Sequence, residues 1–133
     1  MEIEYSAQFI KHATDRRNFT EMPEADGHAR VTGDCGDTVE IWLRVRNDAI
    51  IRATYITDGC NNSRAATGMA LELATGKPVT EALKICQGDI ITALGGLEEE
   101  HCALLAARTL KTAIADYLEM KRHPWKKAYR RTE

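Results

Sequence analysis

The chain has 133 residues, of which 44% are hydrophobic and 29% charged, with a formal net charge of -2. That is enough for one ordinary domain, residues 1–133, to bury a core without disulfide or metal staples, and the balanced charge argues against a nucleic-acid or membrane partner. The opening MEIEYSAQFIKHATDRR puts acids ahead of any apolar stretch and no run reaches membrane-spanning length, so neither a signal peptide nor a transit segment is expected and a cytoplasmic location is. In that compartment Cys35, Cys60, Cys86 and Cys102 are reduced thiols, read as metal ligands, sulfur carriers or core filler before disulfides.

Tyr5, Phe9 and Ile10 share one side of a short amphipathic helix that ends before Thr14. After a loop rich in Pro, Asp and Gly, His28 to Thr32 reads as a short strand. Val39, Ile41, Leu43 and Val45 then alternate with Glu40, Trp42, Arg44 and Arg46, which makes a half-buried strand. Asn47-Asp48 is a turn pair, and the β-branched run Ile50 to Thr57 returns antiparallel, with Asp58-Gly59 closing the sheet.

Beyond Cys60 the pattern is helical. Asn61, Asn62 or Ser63 caps a helix with Ala66, Met69, Ala70 and Leu73 on one face, and Gly76-Lys77-Pro78 stops it. Thr80 caps a second helix whose stripe is Val79, Ala82, Leu83 and Cys86, and Gly88-Asp89 starts a short one through Leu94. From about Glu98 a long helix carries Leu104, Ala107, Leu110, Ile114 and Tyr117 or Leu118 at helical spacing. Strands followed by helices predict an α+β fold, a small antiparallel meander of about three strands with helices on one face.

Three of the four cysteines fall at the ends of these elements, where a layered domain gathers its junctions at one rim. Cys60 and Cys102 lie next to helix N-termini, whose partial positive charge favours thiolate. Cys86 sits within a stripe and reads as a small buried hydrophobe. There is no Cys-x-x-Cys pair, so spacing by itself assigns nothing.

The wording around the cysteines assigns more. GDCGD before a strand, DGCNNSRAATGMALELATGKPVTEAL after a hairpin and EHCALLAARTLKTAIADY on a terminal helix resemble, in that order, the U-type iron-sulfur cluster assembly scaffold family, IscU and the N-terminal domain of NifU. HATDRRNF is similar to the family's His-x-x-x-Pro-Arg-Asn segment, with Arg16 in place of the proline. The resemblance implies that Cys35, Cys60 and Cys102 are cluster thiolates, that Asp37 is the associated carboxylate and that His101 is the alternative nitrogen ligand. It implies a non-enzymatic scaffold holding a transient [2Fe-2S] cluster, fed by a cysteine desulfurase and emptied by apo-protein recipients, with Cys102 as sulfur-acceptor candidate. Thiolates suit iron and sulfide, while a carboxylate or imidazole in the fourth place makes a more exchangeable bond. Zinc also fits three sulfurs plus one oxygen or nitrogen. The alternatives are a zinc-containing persulfide relay and a structural zinc-binding interaction module.

The resemblance breaks at Leu94-Gly-Gly-Leu97-Glu-Glu-Glu100, where the family commonly carries a Leu-Pro-Pro-x-Lys loop used in some members to dock an Hsp70-type chaperone. Such docking is not expected here. The three glutamates suit a helix N-terminus but add negative charge beside thiolates. Asp34 is expected to face solvent, Arg64 is weighed as a cation steadying the site, and the basic, aromatic tail from about Met120 reads as a solvated end or a docking segment for an acidic partner.

Overall fold

The computed structural model describes residues 7–14 and 17–123. Strands β1 (Gly27–Thr32), β2 (Thr38–Arg46) and β3 (Ala49–Thr57) form an antiparallel sheet in the order β1-β2-β3. Five helices complete the described chain: α1 (Ala7–Thr14), α2 (Asn61–Ala74), α3 (Val79–Ala82), α4 (Gln87–Leu94) and α5 (Glu100–Arg122). No helix among the described residues is long and apolar enough to cross a membrane. Tyr5, Arg16 and the tail beyond His123 lie outside the described residues.

The alternation read in β2 sets the layering. Val39, Ile41 and Leu43 are buried, and their cross-strand partners Thr57, Tyr55 and Ala53 on β3 are buried with them. The hairpin turns on Asn47 and Asp48, both at positive φ (54° and 61°), which is the backbone of a two-residue turn whose twist matches the strands. A register shift between Arg44 and Val45 leaves Ile51 and Arg52 exposed side by side, as a bulge does.

Helix α5 packs across β1 and β2, and α2 packs against α5, β3 and α1. Their shared core contains Ile41, Leu43, Ile90, Leu94, Leu110 and Ile114, all at 0% exposure. Each such side chain contributes about 1.5–3 kcal/mol relative to leaving it in water. Polar ties fix the long helix over the sheet: Asp116 accepts the His28 backbone N–H at 2.8 Å, and Asp48 accepts Lys121 Nζ and Tyr117 Oη, each at 2.6 Å. At the other edge, His12 of α1 is buried and meets Glu72 of α2 at 3.0 Å. That contact, with Lys11 beside it, holds the Glu72 carboxyl below the usual range.

Several local expectations are corrected. The N-cap of α2 is Cys60 rather than Asn61, Asn62 or Ser63, and its side chain makes no capping bond. The cap of α3 is Pro78, so Thr80 lies inside the helix; the Pro78 carbonyl accepts the first turn's N–H groups from Glu81 and Ala82. Because α3 lasts one turn, the stripe through Val79 and Ala82 does not reach Cys86. Cys86 is exposed as the N-cap of α4, with Ile85 buried in its stead. In α5, Leu105 takes the inward place, and Leu104 and Leu118 are exposed.

Candidate functional site: a thiol, carboxylate and imidazole rim

Three junctions meet at one end of the layers. The turn between β1 and β2 is closed by Gly36 N–H on the Gly33 carbonyl at 3.0 Å and by Gly33 N–H on the Asp37 carbonyl at 2.9 Å. Gly36 has φ +91°, a conformation that side-chain-bearing residues rarely adopt, and the space beside it is open. The turn is fastened to the β3–α2 junction: Asp58 Oδ1 accepts the Thr38 N–H at 2.8 Å, and Thr57 Oγ1 donates to the Thr38 carbonyl at 2.8 Å. The loop carrying Cys35 and Asp37 is thereby held beside the loop that ends in Cys60.

The third junction is the first turn of α5, where His101 is exposed and Cys102, one residue on, is buried. Ligand atoms of Cys35, Asp37 and His101 lie within 4.8 Å of one another. Ligands sharing a tetrahedral ion at about 2.0–2.3 Å stand roughly 3.5 Å apart, so a shift of little more than an ångström would let the three hold one metal. Cys102 joins through Ser63, whose Oγ is 3.4 Å from Cys102 Sγ and donates to Asp37 Oδ2 at 3.2 Å. Cys60 stands outside the trio, exposed at the start of α2, its sulfur accepting the Asn62 amide at 3.8 Å. Beside the trio lies a surface cavity of about 330 Å³ lined by Gly33, Asp34, Cys35, His101, Leu105 and the exposed Leu104 and Arg108.

Electrostatics separate the thiols. Burial pushes the Cys102 thiol up to about 11, the Ser63 contact partly offsets this, and Cys60, Asp37 and Cys35 add negative neighbours. The field of the helix end does not win here, because the residue is only 2% exposed. His101 Nδ1 meets Glu99 Oε2 at 3.3 Å, which gives one of the loop glutamates a partner in the rim. The Arg64 guanidinium lies 5.5 Å from the centre of the Phe19 ring. Asp34 is exposed, in keeping with its sequence context.

The raised Cys102 pKa has a consequence for stability. Folding favours the protonated thiol, so its contribution is complete below the unfolded value near 9 and is lost as pH climbs through about 11. Between those limits the metal-free chain is expected to lose up to roughly 2–3 kcal/mol, a component absent from Cys102→Ala. Denaturant titrations at stepped pH measure it; identical slopes in the two chains would refute it.

Two residues in close contact with the ligand candidates stand outside the set their sequence context marks. Ser63, a candidate helix cap by sequence, is 1% exposed between Asp37 and Cys102. Gly59, a sheet-closing glycine by sequence, is where a Cβ would lie 2.3 Å from Ser63 Oγ and 3.0 Å from Asp37 Oδ2. A glycine directly before a candidate ligand is the available signal of close approach.

Fold and rim together define an α+β domain in which the β1–β2 turn and the start of α5 bring a thiol, a carboxylate and an imidazole within 4.8 Å of one another. The profile of the NifU-like N terminal domain matches residues 4–124, and the chain belongs to that family. It is 39% identical over 116 residues to the iron-sulfur cluster assembly scaffold protein IscU 1 of Archaeoglobus fulgidus, covering 85% of this chain and 76% of that one. It is 34% identical over 123 residues to the scaffold protein IscU of Aquifex aeolicus, covering 89% and 78%. Among solved structures, a putative iron-sulfur cluster assembly scaffold protein for the SUF system from Fervidobacterium islandicum superposes with a TM-score of 0.69 at 22% identity, covering 83% of this chain and 96% of that one. The N-terminal part of a NifU-like protein from Brucella abortus does so with a TM-score of 0.67 at 14% identity, covering 86% and 94%. These two likenesses bear on the fold.

Proposed function

We propose that this chain is a scaffold on which a labile iron-sulfur cluster, [2Fe-2S], is built and from which it is passed to apo-proteins. The observation that carries the reading is the convergence of Cys35, Asp37 and His101 within 4.8 Å, with Cys102 linked to Asp37 through Ser63. Relatives whose names state a scaffold role support it. Cys35, Cys60 and Cys102 are the thiolates on this reading, Asp37 the exchangeable ligand and His101 the nitrogen alternative. The protein catalyses nothing itself. It supplies soft ligands that hold iron and sulfide, and one hard ligand whose bond yields when a recipient's thiol arrives.

Sulfur comes from a cysteine desulfurase. The exposed Cys35 and Cys60 are open to an incoming persulfide, whereas acceptance by Cys102, the acceptor that resemblance implies, requires its buried contact with Ser63 to open. Zinc suits the same donors and serves as a stand-in for the cargo. Anaerobic reconstitution with iron, sulfide and thiol tests the proposal: visible absorption that forms on the protein and disappears on mixing with an apo-ferredoxin is expected. A tightly held zinc with no sulfur uptake would instead make the chain a structural zinc module, and persulfide uptake without a cluster would make it a sulfur relay.

A further inference from the structure

Ser63 is a buried polar side chain of the rim that stands outside the ligand candidates and does not cap a helix. It lies on the first turn of α2, is 1% exposed and has its hydroxyl between Asp37 Oδ2 at 3.2 Å and Cys102 Sγ at 3.4 Å. A serine hydroxyl has one proton to give. A carboxylate is the stronger acceptor, so the proton goes to Asp37 and the oxygen is left to accept from the Cys102 thiol. The space for this arrangement depends on Gly59, where any Cβ would stand 2.3 Å from the hydroxyl. Asp37 has need of such a partner, because it sits on a turn whose central Gly36 is open to solvent on its free side.

We infer that Ser63 is the positioning residue for Asp37: by holding Oδ2 it fixes the carboxylate's rotation and leaves Oδ1 free to face the position shared with Cys35 and His101. A hydroxyl provided by α2 thus orients a ligand provided by the β1–β2 turn. This rests on the ligand set of the proposed function and adds to it a residue that makes no bond to the cargo. Residues that orient a metal's ligands from behind govern affinity nearly as strongly as the ligands do.

The experiment uses the full metal-free chain and zinc(II) as the probe, with affinity measured by competition against a chromophoric chelator and ligand type read from the optical spectrum of the cobalt(II) form. Ser63→Ala is expected to weaken zinc binding ~10–100-fold and to shift the cobalt d–d bands. Ser63→Thr, which keeps the hydroxyl, is expected to retain wild-type affinity. In an Asp37→Ala background Ser63→Ala is expected to cost much less, since the group it orients is gone and its contact with Cys102 alone remains. An equal loss in both backgrounds, or no loss in either, overturns the inference while leaving the scaffold reading intact. A wild-type chain that takes up no zinc or cobalt at all removes the ligand set on which both rest. Circular dichroism and thermal melting of Ser63→Ala check that the fold persists, as a buried Ser-to-Ala change in a helix permits.

Discussion

Asp37→Ala is expected to lengthen the lifetime of the reconstituted cluster roughly tenfold, equivalent to about 1.4 kcal/mol on the barrier to departure. On the proposed ligand set the carboxylate would be the hard member among softer donors, and its bond to iron the one most readily exchanged. It is carried on the β1–β2 turn, where Gly36 bounds open space at φ +91°. Removing it leaves the place to His101, whose ring lies within the same 4.8 Å group and whose nitrogen suits iron better than a carboxylate oxygen does. Transfer to an apo-ferredoxin, followed by circular dichroism in the visible, gives the rate, and wild-type kinetics in the variant would remove Asp37 from the exchangeable role. Zinc affinity and cluster lifetime need not move together: the first is an equilibrium over all ligands, the second the rate at which the most labile bond opens.

Most of the architecture is legible in the sequence because it rests on local signals. The alternation through Val39, Ile41 and Leu43 can bury only one face of a strand, and Asn47-Asp48 supplies the left-handed pair that a two-residue hairpin requires. The stop at Gly76-Lys77-Pro78 and the start near Glu98 bound the helices to within two residues of α2 and α5. Cys86 escapes such reading because helical periodicity runs on past Ala82, where the chain has already left α3; a one-turn helix is too short to declare its end through apolar spacing. Leu104 and Leu105 exchange places for a related reason. Two adjacent leucines offer two stripes, and only the sheet and turn packed on α5 decide which goes inward; a Cβ at Gly33 of the turn would lie 3.3 Å from Leu105.

The site divides in the same way. Wording around each cysteine marks the donors, whereas the tie from Ser63 to Asp37 joins residues 26 apart in sequence and becomes visible only when Thr38 is fastened to Asp58. The same fastening explains why the site needs a complete fold. No one segment contributes more than two of the five ligand candidates, so their approach is a property of the sheet and of the helix laid across it.

That dependence makes the seat of α5 on β1 the second critical place, and Gly27→Ala is expected to destabilise the chain by about 1–3 kcal/mol, the usual penalty for overpacking a tight contact. A Cβ at Gly27 would fall 2.6 Å from the Ala113 carbonyl oxygen and 3.0 Å from Tyr117 Cβ. The nearer neighbour is backbone in the middle of a 23-residue helix, so no rotamer change relieves the clash. Either β1 or α5 must retreat. Retreat of the helix would lengthen the bond from His28 N–H to Asp116, now 2.8 Å. It would also strain the 2.6 Å contacts of Asp48 with Tyr117 and Lys121 at the hairpin. Because His101 and Cys102 ride on the first turn of the same helix, part of the displacement is expected to reach the rim as weakened zinc binding in addition to a lower melting temperature. An unchanged melting temperature in the Gly27→Ala chain would show that α5 can slide on the sheet without cost, and the close approach at Gly27 would then carry no weight in holding the site together.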